Sequence, residues 1–372
     1  MNFALCAALL FPAAGAAEDA PPARQAVVVA GTGEAASHGD GGLATEAAVS
    51  NPFGVAVAPD GGILICEVDG HRVRRVDPVT GIITTVVGAG EAGNDGDGGP
   101  ATQARLMEPY EITFDAQGRW LIVDMLAHVV RRVDPSTGLI ETVAGSGEAG
   151  FSGDGGSATK AKLNRPHSVV VATDGTILIC DIGNHRVRSI DSKSGVIRTL
   201  AGDGTKGKTP PDAPFAPTTA LAGPRAMFIA PAADGGPGDW LLALREGNAL
   251  FRIPAPEEDS SARLLRRIAG SGRSGHTGDG NPALRATLAG PKGVTVLPNG
   301  DVVLADTENH AIRVIDAADG TIRTILGRDA AGKVQGGFTL ARPHGVGAMA
   351  DGSILVGDSE NHRVLRLPPP AE

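Results

Sequence analysis

Residues 181–191 read DIGNHRVRSID, placing an acid, an amide, an imidazole and two guanidinium groups within eleven positions. One copy would suit a metal site, a catalytic cluster or a structural turn equally well. The chain repeats it: EVDGHRVRRVD from Glu67, DMLAHVVRRVD from Asp124, DTENHAIRVID from Asp306, DSENHRVLRLP from Asp358, and a weakened LREGNALFRIP from Leu244. Ahead of each copy stands a proline, at Pro52, Pro109, Pro166, Pro224, Pro291 and Pro343, with successive gaps of 57, 57, 58, 67 and 52 residues. Self-similarity at such a period marks a solenoid, a propeller or another repeat array.

Each unit resolves into four short strands. The first follows the proline (GVAVAP, SVVVAT, GVTVLP), and a PDGG, TDGT or PNGD turn leads into the second (ILIC, VVLAD). Asp-Gly and Asn-Gly between apolar runs are strong hairpin signals. The repeat phrase carries the turn into the third strand, and DPVTG or DPSTG leads to the fourth. Six such units predict an all-β, six-bladed β-propeller. The last unit stops after its third strand, while QAVVVAGTG at residues 25–33 matches the fourth-strand pattern LIETVAGSG. The N-terminal strand is therefore expected to complete the last blade and close the ring. The expected organisation is a signal segment at 1–17, a linker at 18–24, one propeller at 25–368 and a tail at 369–372.

Composition agrees with a turn-rich fold: 53 glycines and 26 prolines in 372 residues, with 42% hydrophobic residues to fill a core. A net charge of −9 argues against general binding to nucleic acid or an anionic membrane. The opening MNFALCAALLFPAAGAA is apolar, too short to span a bilayer, and ends in small residues like a secretory signal, although it lacks Lys and Arg. The expectation is an exported protein, periplasmic or extracellular. Cys66 and Cys180 occupy one strand position in blades one and three, which predicts two separate buried thiols.

The D-x-x-N-H-R phrase behind a Pro-led strand resembles the NHL repeat, over essentially the whole chain after residue 24. That resemblance implies the six-bladed propeller and leaves function open. His71, His128, His185, His310 and His362 recur once per blade, whereas a metal site needs a few convergent ligands. The phrase is expected to be architectural, with its acid accepting backbone N–H groups at the turn. The GDGG connectors at Asp40, Asp97, Asp154 and Asp279 are each expected to lead into one helical turn. They either cap that turn or, less favoured, hold calcium.

Function is sought where the repeat position is fixed and its residue varies. Directly after the six prolines stand Phe53, Tyr110, His167, Arg225, Lys292 and His344, where the innermost strands begin. In a propeller this position faces the central channel, and Tyr110 is the chain's single tyrosine. The expected site is a polar pocket at the channel mouth. There Arg225 and Lys292 would favour an anion, and Tyr110 and Arg225 would serve any chemistry. The PHS and PHG segments at His167 and His344 resemble the zinc-binding Pro-His motifs of the peptidyl-α-hydroxyglycine α-amidating lyase propellers. That resemblance implies a divalent metal, zinc, on His167 and His344; calcium, at the connectors, is the less favoured cofactor. Two functions compete: a module that binds a small anionic ligand, a peptide or a glycan at the channel, and a lyase or hydrolase, metal-assisted or not.

Overall fold

Alternating apolar positions and Gly-bearing turns fold this chain into six antiparallel sheets, and the strand order runs outward from the centre in each. The computed structural model describes residues 24–232, 236, 238–255 and 263–370, so the proposed signal segment lies outside the described residues. Blade one comprises Pro52–Val57, Ile63–Glu67, Arg72–Val76 and Ile83–Val87, paired in that order. Blades two to five repeat this plan, with innermost strands Pro109–Phe114, Pro166–Val171, Pro224–Ile229 and Gly293–Val296. Blade six has three strands of its own, Val346–Ala348, Ile354–Asp358 and Arg363–Leu367. Val27–Ala30 adds the fourth, with Val28 opposite Leu365. The ring closes as the repeat arithmetic requires.

Turn chemistry fixes each register. In the first hairpin of blade one, Gly61 sits at φ +85°, a conformation in which a side chain is strained, while Ala58 N–H donates to Gly62 O at 2.8 Å. The core lies between blades. Leu64, Cys66 and Val73 of blade one pack with Ile112, Ile122 and Val133 of blade two, and Leu355 and Val364 of blade six pack with Val55 and Ile65 of blade one. Closing the ring therefore supplies a sixth apolar interface, not merely a strand pair.

The repeat phrase is the stitching of this ring. Asp181 is fully buried, and its carboxylate accepts the backbone N–H of Asn164 at 2.7 Å and the Asn184 amide at 2.7 Å. Asp124, Asp306 and Asp358 accept the N–H of Met107, Ala289 and Ala341 in the same way, each 17 residues upstream, as Glu67 does from Ser50. The histidines take the left-handed conformation, φ 50–57°, that ends the turn. His128, His310 and His362 then accept, through Nδ1, the N–H of Arg165, Arg342 and Asn51 in the following blade at 3.0–3.1 Å. The last of these joins blade six to blade one. Blade four substitutes Asn248, also left-handed at φ 45°, whose Oδ1 accepts Gly290 N–H at 2.9 Å.

The GDGG aspartates have a role the sequence reading missed. Four fully buried arginines, Arg74, Arg131, Arg188 and Arg313, reach Asp40, Asp97, Asp154 and Asp279 at 2.6–2.7 Å. Each pair latches a blade's third strand to the connector 34 residues upstream. Guanidinium thus engages the carboxylates considered for calcium, and the 3₁₀ turns Ala101–Gln103, Ala158–Lys160 and Ala283–Arg285 follow three of the connectors. Blades four and six carry Phe251 and Leu365 at the arginine position and have Pro217 and Ala331, not aspartate, 34 residues upstream, whereas blade five keeps Asp279 in a GDGN connector. Where blade four has Leu244 for the acid, the Thr209 hydroxyl accepts the orphaned Ala222 N–H at 3.1 Å. The turn acid's bond to the backbone is thereby replaced, while the latch has no counterpart in this blade.

Candidate functional site

Six innermost strands set side by side leave a central channel, and their first residues meet at one end of it. Phe53 stacks on His344 with ring centroids 3.6 Å apart and lies edge-on to Tyr110 at 4.8 Å. Tyr110 in turn contacts His167 at 4.5 Å, and the Arg225 guanidinium covers the Tyr110 ring at 4.5 Å. Lys292 Nζ donates to His344 Nε2 at 3.1 Å and pairs with Glu308 at 3.0 Å. All six residues singled out in the sequence therefore come together.

They form a packed plate and not an open mouth. Tyr110, His167, Arg225, Lys292 and His344 are all buried, and Phe53 closes over His344. The open space lies along the channel from this plate toward the far ends of the strands. It is a cavity of about 520 Å³, floored by Phe53, Tyr110, Arg225, Lys292 and His344. Its walls are mainly apolar, including Val55, Ile112, Phe228 and Val294. His167 packs behind Tyr110 and does not line it.

Electrostatics revise the expected roles. Burial raises the Tyr110 phenol above its ordinary value, and the opposing charge and hydrogen bond of Arg225 do not reverse this, so Tyr110 is a hydrogen-bond donor and not a ready base. Burial, reinforced by Arg225 and Lys292, holds His167 and His344 well below the usual imidazole value. Both are neutral. His167 Nδ1–H donates to Arg165 O, and His344 Nδ1–H to Arg342 O, at 2.7 and 2.8 Å. Because Lys292 occupies His344 Nε2, that imidazole has no lone pair left for a metal in this arrangement. Among the described residues no three acidic, His or Cys side chains gather as a metal would require. Cys66 and Cys180 are free, buried thiols.

Two cations share the floor. Lys292 is brought down to about 7 by burial and by Arg225, against the pull of Glu308. Partial burial pushes the Glu308 carboxyl up, but Arg342 and Lys292 more than reverse it and hold it at about 2. Arg225 is the anomaly. It is 2% exposed and, like the latch arginines, has an Nε without a hydrogen-bond partner, but among the described residues no carboxylate lies within ion-pair distance of it. The four latch arginines, by contrast, all reach carboxylates.

Sequence reasoning missed Glu111, the only acidic side chain lining the cavity among the described residues. Its carboxyl is pushed up to about 7 by burial, against the hydrogen bond from Ser168 and the charge of Arg225. A signal was present. The second position after the proline reads Gly54, Glu111, Ser168, Ala226, Gly293 and Gly345, small everywhere except blade two. Neighbouring strands are that close: a Cβ on Gly345 would meet Phe53 O at 2.2 Å, and one on Gly293 would meet His344 O at 2.3 Å.

The teneurin NHL domain pattern matches residues 15–93 and 147–216, and the NHL repeat pattern matches 288–315 and 340–367. Protein SUPPRESSOR OF QUENCHING 1, chloroplastic, of Arabidopsis thaliana is 27% identical over 300 residues, covering 74% of this chain and 26% of that protein. NHL repeat-containing protein 2 of Bos taurus is 27% identical over 293 residues, covering 71% of this chain and 39% of that protein. The chain thus spans 26–39% of the length of these relatives. Among solved structures, an auxiliary nutrient binding protein from Bacteroides thetaiotaomicron aligns with a TM-score of 0.66 at 13% identity, covering 92% of this chain and 75% of its own. A gluconolactonase from Xanthomonas campestris aligns with a TM-score of 0.56 at 14% identity, covering 87% of each chain. At such identities the likeness is one of fold.

Proposed function

The chain belongs to the NHL-repeat propeller family, whose fold fixes a channel without fixing its chemistry, and we propose that this member is an exported module binding a small anionic ligand with an apolar body in that channel. The observation that carries this reading is Arg225. A buried guanidinium without a counter-ion destabilises a fold, and blades one, two, three and five show that this chain pairs its other deeply buried arginines. At the floor of a cavity of about 520 Å³, the size of a small-molecule site, the missing counter-ion is supplied by a ligand. Lys292 adds a second positive group, and the apolar walls accept the rest of the molecule. The nutrient-binding designation of the Bacteroides neighbour is compatible with this role.

A second reading, a lyase or hydrolase acting in the same channel, draws support from Glu111 and Lys292. Both sit at about 7, where proton transfer at neutral pH is efficient. The hydroxyl beside Glu111, that of Ser168, is fully buried and already accepts the Met227 N–H, so binding leads.

Calorimetric titration with octanoate, with 1-octanol as the uncharged control, tests the proposal. Arg225→Met should weaken octanoate binding by about 10–100-fold, the worth of charge-assisted hydrogen bonds, and leave octanol unchanged. The same variant should unfold at a higher temperature, because an uncompensated buried charge is gone. Equal octanoate affinity in both proteins would remove Arg225 as the anchor.

A further inference from the structure

Glu111 stands where an anion-binding channel should not place a carboxylate, and its hydrogen bonds give the reason. Its Oε1 accepts the Ser168 hydroxyl at 2.6 Å and the Val169 N–H at 3.4 Å. Ser168 Oγ itself accepts the Met227 N–H at 3.1 Å, so its single proton is directed at Glu111. Oε1 is therefore fixed as an acceptor. Oε2 receives no hydrogen bond from the described residues, and Glu111 lines the cavity. Any proton on this carboxyl sits on Oε2, where a ligand can meet it.

We propose that Glu111 couples anion binding in the channel to the uptake of one proton, so that the ligand and a proton enter together. This rests on the anion-binding reading above and deepens it. A ligand carboxylate held by Arg225 repels an ionised Glu111, but it accepts a strong O–H···O⁻ hydrogen bond from a protonated one. The groups acting on Glu111 from the surrounding elements are compatible with this. Blade four contributes the Arg225 charge, and blade three contributes Ser168, the Val169 N–H and the Cys180 thiol. Blade one contributes the Cys66 thiol. Both thiols are pushed well above their ordinary value by burial first and by the Glu111 charge second, so neither competes for the proton near neutrality. The proton comes from solvent and returns to it on release, with no bond of the ligand made or broken.

The sign follows. An anion that favours the protonated carboxyl raises its affinity for the proton, so ligand affinity rises as pH falls and levels off once Glu111 is protonated. Octanoate, ionised throughout, should bind roughly 10–30-fold more tightly at pH 6 than at pH 8.5, for a carboxyl titrating about 7. Calorimetry at pH 8 in two buffers of different ionisation heat should register about one proton taken up per octanoate bound. Lys292 also loses charge with rising pH and would give the same trend, so Glu111→Gln decides the source. The amide offers a hydrogen bond at every pH; the variant should bind octanoate at pH 8.5 better than wild type and take up about one proton fewer than wild type. A variant with the wild-type pH slope and proton count would overturn the proposal and assign the coupling to Lys292. Wild-type binding that ignores pH would overturn it while leaving the anion site standing. No octanoate binding to wild type at pH 6 would remove the anion site, and the coupling with it.

Discussion

Replacing Arg188 by Met severs the latch of blade three at its centre. Arg188 is fully buried, and its Nη2 donates to Asp154 at 2.6 Å and to Ser152 O at 3.2 Å, while Nη1 faces Asp181 at 3.5 Å. The substitution removes these contacts and leaves Asp181 buried without its cation. Breaking a buried pair from one side costs about 3–5 kcal/mol, since the remaining charge has lost its compensation. Asp181 also sets a pH dependence. Burial already raises its carboxyl to about 6, and loss of Arg188 raises it further. A buried carboxyl whose folded pKa exceeds its unfolded value destabilises the fold as pH rises above about 4, because the folded state must give up a proton it holds more tightly. The penalty for Arg188→Met should accordingly shrink by roughly 1–2 kcal/mol between pH 7 and pH 5, where Asp181 is protonated with or without the arginine. Asp181→Leu with Arg188→Phe copies blade four, whose Leu244 and Phe251 are buried. It should recover part of the loss but retain about 1–3 kcal/mol, because blade three has no Thr209 to accept the Asn164 N–H. Urea denaturation followed by circular dichroism at both pH values measures all three. A single variant within about 1 kcal/mol of wild type at pH 7, or a penalty indifferent to pH, would refute the latch reasoning.

Deleting residues 24–31 removes the strand paired with Arg363–Leu367 and opens the interface of blades six and one; a loss of several kcal/mol is expected, and an unchanged melting temperature would mean that the ring closes otherwise. At His310, Asn should be tolerated within about 1 kcal/mol, since Asn248 already plays that part in blade four. Ala at the same position should cost about 1–3 kcal/mol, having neither the acceptor for Arg342 N–H nor an easy left-handed backbone. Equal losses for the two variants would contradict the stitching role.

The fold was legible because each of its devices is local and written several times. Asp-Gly and Asn-Gly turns, the left-handed histidine and the acid 17 residues beyond its N–H partner depend on short segments with fixed spacing. The latch was equally available in principle, since aspartate and arginine recur 34 residues apart and vanish together in blades four and six. Locally, GDGG reads as a turn cap or a calcium loop, and its partner lies three strands further along the chain, where no short segment reveals it. The site was legible only as a position. That the residue after each proline faces the axis follows from the propeller. That these side chains pack against one another, and place the cavity beneath them, depends on rotamers and strand spacing that no repeat encodes. The protonation of Tyr110 was hidden for the same reason: its proximity to Arg225 could be anticipated from the ring, but its burial could not, and burial outweighs the charge. The position that mattered most breaks a steric rule. Five blades keep a Gly, Ala or Ser two residues after the proline, where neighbouring backbones nearly touch, and among the described residues blade two alone carries a carboxylate into the channel, on the same floor as a deeply buried arginine that has no ion-pair partner there. Packing alone would favour a small residue at Glu111 and an apolar one at Arg225. That the channel keeps both, against the stability each costs, is the physical argument that it binds something.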